Sequence, residues 1–248
     1  MSESRPLSRP PIVEVVCEFR FAQSSPWDAA IPGQVFQALE NKLFPKKKSE
    51  RTIEAKVDTT DKGLTQHVTT AERLVLLSED ERQFARIGER FLSIHRVEPY
   101  TSWAEFKPVI EKALGALNAV AEPSGFQRVG LRYLNRIEFP LDRVEVEEHF
   151  TFCLHVGEDL PQDYGPFMAG ALFEDFREGR NSLRMQLSSA SPGPEGQINV
   201  MLDLDYFLTD PESLTADEVP SWLSDAHEAI KKAFFASITD KTMGLFTD

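Results

Sequence analysis

The order in which two periodicities follow one another constrains the fold of this chain more than any other feature. Val13, Val15, Cys17, Phe19 and Phe21 alternate with Glu14, Val16, Glu18 and Arg20, the two-residue period of a half-buried strand. A helix is expected next. Pro32 suits its first turn, Val35, Phe36, Leu39 and Leu43 form its apolar stripe, and Pro45 ends it before Lys46, Lys47 and Lys48, a basic run that reads as a loop. Short strands then recur at Ile53 to Thr59, Leu74 to Ser78, Gln83 to Ile87 and Phe91 to Arg96. Ser102 and Glu105 make a capping box for a second helix, whose stripe is Trp103, Phe106, Ile110, Ala113, Leu114 and Leu117 and whose early turns Pro108 bends or delays. Strands return at Gln127 to Phe139, His149 to Val156, Phe167 to Phe176, Ser182 to Ser189 and Gln197 to Asp205. A second capping box, Thr215 with Glu218, opens a terminal helix with an apolar stripe from Trp222 to Leu245, closed by Gly244.

Strands that arrive in runs, rather than alternating one by one with helices, favour an α+β fold over a parallel doubly wound one. The expectation is an antiparallel curved sheet with helices on one face. Reading the halves as 11–122 (β-α-β4-α) and 126–246 (β5-α) suggests a pseudo-duplicated helix-grip arrangement within a single domain spanning 1–248.

A chain of 248 residues that is 41% hydrophobic and 27% charged can bury a sizeable core. It holds no apolar run long enough for a membrane span and no apolar leader in Met1 to Pro11, so a cytoplasmic protein is expected. Cys17 and Cys153 are too few for a disulfide framework. Charge is divided unevenly: Met1 to Pro140 carries 20 basic and 19 acidic residues, whereas Leu141 to Asp248 carries 7 and 21. The net charge of −13 therefore belongs to the second part and opposes general nucleic-acid affinity.

Four segments carry a family likeness: PPIVEVVCEFRF at Pro10 to Phe21, PYTSW at Pro99 to Trp103, RYLNRIEFP at Arg132 to Pro140, and AHEAIKKAFFASITDK at Ala226 to Lys241. Together they resemble a sporadically distributed family of uncharacterised bacterial proteins of about this length. The resemblance implies a bacterial accessory protein, associated with defence or toxin-neutralising modules, and brings no catalytic residues with it.

Three groups of residues are chemical candidates. Arg128, Arg132 and Arg136 share a strand face at intervals of about 13 Å, opposite Val129, Leu131, Tyr133, Asn135 and Ile137. Their forks suit phosphates or a partner's carboxylates, but pairing with acids on adjacent strands is the more economical reading. Asn135, among apolar neighbours, needs its amide bonded. On the expected strand His149 to Val156, Cys153 and His155 face the same way as His149, which would suit a metal or a thiolate–base pair if another strand contributed. Asp203 and Asp205 can hold a divalent ion if a third oxygen ligand joins them, although a solvated strand edge explains them as well. Phosphate-loop, dinucleotide, zinc-protease and nucleophile-elbow signatures are absent from the sequence. Trp27, Trp103 and Trp222 read as core anchors at helix starts.

Three functions from different classes follow. The first is a non-enzymatic interaction protein, without cofactor, whose acidic second part meets a basic partner protein through Glu145, Glu147, Glu148, Glu174, Asp175 and Glu178; homodimers fit the same charge division. The second is a binder of a small apolar ligand in a cavity between sheet and helices. The third is a metal-dependent hydrolase or nucleotidyl enzyme using Asp203 and Asp205.

Overall fold

A computed structural model describes residues 7–39, 42–60, 63–140, 143–162, 165–174, 180–191, 193, 197–210 and 213–247, with the side chains of 52–60 and 63–71 left undescribed. The elements are β1 (Ile12–Phe21), α1 (Ile31–Ala38), β2 (Lys46–Thr60), β3 (Gly63–Leu77), β4 (Gln83–Gly88), β5 (Phe91–Val97), α2 (Trp103–Ala121), β6 (Phe126–Phe139), α3 (Val146–His149), β7 (Met168–Phe173), β8 (Asn181–Ser189), β9 (Ile198–Leu208), α4 (Val219–Ser237) and α5 (Asp240–Met243). The strands form one antiparallel sheet in the order β2-β3-β4-β5-β1-β6-β9-β8-β7. No helix among the described residues is long and apolar enough to cross a membrane.

The fold is α+β, as the runs of strands require. In each half the first strand is followed by a helix and then by a meander whose last strand returns beside the first: β5 beside β1, and β9 beside β6. A long helix closes each half, α2 and then α4. The halves join through the antiparallel β1–β6 ladder, so the strand order reads outward from that ladder in both directions.

Alternation on these strands decides which face the helices cover. Val15, Cys17 and Phe19 of β1, Leu131 and Ile137 of β6, and Leu202, Leu204 and Tyr206 of β9 are buried on one face, where α2 and α4 pack. Ser102 Oγ accepts from the Glu105 N–H at 3.2 Å and starts α2, which continues through Pro108 with Phe106, Ile110, Ala113 and Leu117 inward. The Thr215 N–H donates to the Glu218 carboxylate at 2.8 Å, opening a single 3₁₀ turn that runs into α4. Burying a side chain such as Phe19 or Phe106 contributes roughly 1.5–3 kcal/mol, and buried residues of both halves belong to one apolar cluster.

Several expectations are corrected. Lys46, Lys47 and Lys48 are not a loop but the start of β2, paired with Leu77, Leu76 and Val75. β4 reaches only Leu74–Leu77 of β3, so the β2–β3 hairpin runs on past the sheet as a two-stranded arm. Helix α1 stops at Ala38, short of Leu43. The terminal helix stops at Ser237; Ile238 is extended and bridges Phe150, and Gly244 follows the separate short helix α5. His149 to Val156 is not a strand, which leaves four strands in the second half rather than five.

Candidate functional site

The sheet face that no helix covers carries the arginines expected on β6. Arg132 holds Asp203 with two parallel bonds, Nε–Oδ1 at 2.7 Å and Nη2–Oδ2 at 2.6 Å. Arg128 reaches Asp205 at 3.1 Å and Glu18 at 3.2 Å, and Arg184 on β8 reaches Asp205 at 3.0 Å. Arg136 binds Glu138 at 2.8 Å and Glu98 at 3.1 Å. Arg128 and Arg132 thus meet carboxylates on adjacent strands, whereas Arg136 meets Glu138 on its own strand and Glu98 just past β5. Asp203 and Asp205 are capped by these guanidinium groups, with side chains only 11% and 6% exposed. Burial pushes the Asp205 carboxyl up, while Arg128, Arg184 and Arg132 pull it back. Among the described residues no group of three or more His, Cys, Asp or Glu is placed to hold a metal.

The lattice continues onto β5. His95 Nδ1 lies 2.8 Å from Glu14 Oε1, and its Nε2 lies 2.8 Å from Ser93 Oγ and 3.1 Å from Arg86 Nη1. Arg86 is a donor only, so Nε2 accepts and Nδ1–H donates to Glu14. Burial holds the His95 pKa below its usual value, in keeping with this neutral form, and the bond from His95 lowers that of Glu14.

The expected His149, Cys153 and His155 face does not form. His149 is buried, bonded through Nδ1 to Thr242 Oγ1 at 2.9 Å and packed against the Phe139 ring, whereas His155 is exposed. Cys153 is half-buried, and burial pushes its thiol up. The acidic candidates do not form one surface either. Glu145 pairs with Arg143, Glu148 with Lys241, and Glu147 lies exposed beside them beyond the Phe139 end of β6. Glu174 follows β7, whose Phe173 aligns through Leu183 and Tyr206 with Leu131, well along β6 from Phe139. At strand rise the two positions lie about 25–30 Å apart. Asp175 and Glu178 lie outside the described residues.

On the helix side the sheet leaves a cavity of about 400 Å³, within the range of small-molecule sites. Tyr133, Asn135 and Leu204 form its floor; His227, Ile230 and Phe234 project from one side of α4 at spacings of three and four residues. Trp103, the first residue of α2, and the strap Leu7 to Ile12 complete the walls. The strap is fastened at both ends: Ser8 N–H and Oγ donate to the Phe246 carbonyl at 3.0 and 2.8 Å, and Arg136 N–H donates to the Pro11 carbonyl at 2.8 Å. Beside it the β1–β6 ladder shifts register between Ile12 and Glu14, opposite Asn135 and Leu134. Such irregularities recur next to binding sites because they re-aim side chains.

Apart from Lys231 at the rim, the polar side chains lining the cavity are uncharged, and two of them are linked. Tyr133 Oη lies 3.0 Å from His227 Nδ1 and 3.3 Å from Tyr100 Oη. The His227 ring stacks on Trp103, centroids 4.6 Å apart and planes 5° from parallel. Burial lowers the His227 pKa to about 4 and raises those of Tyr100, to about 12, and Tyr133, so the imidazole and both phenols are neutral at pH 7. Asn135, 2% exposed, donates from Nδ2 to the Leu202 carbonyl at 3.1 Å, and its Oδ1 takes part in none of the described hydrogen bonds. The structural bond expected of Asn135 is thus present, but it uses only half of the amide.

Sequence reasoning missed this site. Trp103 was expected only as an anchor, Tyr133 only as an apolar-face residue, and His227 did not stand out. The available signal was a pair of polar-tipped residues, Tyr133 and Asn135, on the core face of a strand, together with a histidine bordering the apolar stripe of the terminal helix. No family model matches the chain, and no significant match is found among curated proteins or solved structures.

Proposed function

We propose that this protein binds a small, largely apolar molecule in the cavity between β6, β9 and α4. The observation that carries the reading is a half-open cavity whose walls are mostly apolar and whose inner polar groups are few, on Tyr133, Asn135 and His227, with Lys231 the one charged lining residue among those described. Its imidazole and phenols are neutral and bonded to one another, which suits holding a ligand better than attacking one. The test is titration with the neutral fluorophore 1-aminoanthracene. Saturable one-to-one binding is expected, with quenching of Trp103, and Ile230→Phe, which fills the cavity, should weaken it at least about tenfold while leaving the circular dichroism unchanged. Equal binding by Ile230→Phe and the parent would remove the cavity from consideration.

A second reading, a cytoplasmic accessory protein that docks a basic protein partner, is favoured by where the excess negative charge sits. The buried carboxylates Asp203 and Asp205 are matched by arginines, so that excess lies on exposed residues such as Glu147, Glu174, Asp210 and Asp217. Association through them should slow roughly tenfold or more between low and physiological salt, and reversal at Glu147 should slow it further, as stopped-flow mixing with the captured partner would show. A salt-independent association rate would count against the charge argument.

A further inference from the structure

We infer that the ligand of this cavity is an uncharged molecule that presents an N–H or O–H donor to Asn135 Oδ1; this rests on the cavity being the binding site. The orientation of the Asn135 amide is settled by its neighbour. Nδ2 lies 3.1 Å from the Leu202 carbonyl oxygen, and turning the amide over would set two acceptor oxygens against each other. Oδ1 is therefore the atom left over, an acceptor on a residue 98% removed from solvent, in the floor of the cavity and opposite the break in the β1–β6 ladder. Oδ1 is not among the described buried atoms that lack a partner, so solvent in the cavity reaches it; a ligand that covers it without offering a donor strands the acceptor, and one that offers a donor does not.

Charge is excluded by the same surroundings. Among the described residues, the only formally charged side chain lining the cavity is Lys231, which is 42% exposed and lies 4.0 Å from Glu228. A carboxylate or ammonium carried to the floor would lose its hydration and meet no counter-charge there.

The isomers 3-methylindole and 1-methylindole test this directly, because they match in volume and apolar area and differ in whether the ring nitrogen carries a hydrogen. Titrated into the full chain and followed by NMR, 3-methylindole should bind about tenfold more tightly. In Asn135→Leu, of similar size and without the acceptor, the preference should vanish because 3-methylindole weakens to the level of 1-methylindole. Equal affinity of the two isomers for the parent protein would overturn the donor assignment while leaving the cavity a binding site. Failure of both to bind would overturn the site itself and the assignment with it.

Discussion

An Arg132→Met variant should unfold about 2 kcal/mol more easily than the parent in urea, and adding Asp203→Leu should restore most of the loss. Arg132 supplies Asp203 with two bonds of 2.7 and 2.6 Å, while the Asp203 side chain is only 11% exposed. Removing the guanidinium leaves a nearly buried carboxylate without its counter-charge. The neighbouring guanidiniums are committed elsewhere: Arg128 and Arg184 to Asp205, and Arg136 to Glu98 and Glu138. A fully enclosed pair broken in this way costs about 3–5 kcal/mol, and the 39% exposure of the Arg132 side chain reduces that figure. The second substitution removes the stranded charge and lets two apolar side chains meet across the strands, which is often neutral to stability. A double variant no more stable than Arg132→Met would sink the structural account of this face and return Asp203 to the candidates for function. Binding of 1-aminoanthracene should be unchanged in both variants, since these residues lie on the opposite face of β6 and β9 from Tyr133, Asn135 and Leu204.

These outcomes bear on how far the sequence could be read. Local rules were sufficient where one segment settles its own conformation: the alternation of β1, the Ser102–Glu105 cap of α2 and the Thr215–Glu218 opening of α4 are all present. The pairing of Arg128 and Arg132 was legible too, because acids outnumber bases in the second part of the chain, and β9 brings Asp203 and Asp205 alongside β6. His149 to Val156 failed for a tertiary reason. Its alternation suits a strand, but both sides of β6 are occupied by β1 and β9, and the chain following α4 takes the local backbone groups: Thr151 N–H donates to the Ser237 carbonyl and Thr239 N–H to that of His149. Lys46 to Lys48 failed because a strand at a sheet edge tolerates charge on its solvent side as readily as a loop does. The cavity was illegible for a third reason. Trp103, Tyr133 and His227 come from three separate elements, and their stacking and hydrogen bonding exist only once α2 and α4 cross the sheet.

Stability should fall as pH is lowered from about 6.5 to about 4 and then level off with respect to His227. In the unfolded chain this imidazole takes its proton near the ordinary value of 6.5; in the fold, burial holds it off until about 4. Between these limits the unfolded state binds the extra proton, so every step down in pH favours unfolding, and above about 6.5 both states are neutral and the effect is absent. The groups around the ring set the magnitude. Tyr133 and Trp103 contribute no charge, Glu228 favours protonation and Lys231 opposes it, and solvent at the open side moderates the loss to about 2 kcal/mol. Burial shifts His95 and His149 in the same direction, so the acid limb is shared. His227→Phe isolates one part of it. The substitution keeps a ring against Trp103 and gives up the bond to Tyr133, which should make it about 1 kcal/mol less stable than the parent at pH 7. At pH 4.5 the order should reverse, because the variant has no imidazole there to drive unfolding. Chemical denaturation of both proteins across that range measures the crossing, and parallel curves would mean that His227 is protonated in the fold at no cost, with the neutral cavity and the ligand chemistry inferred from it going the same way.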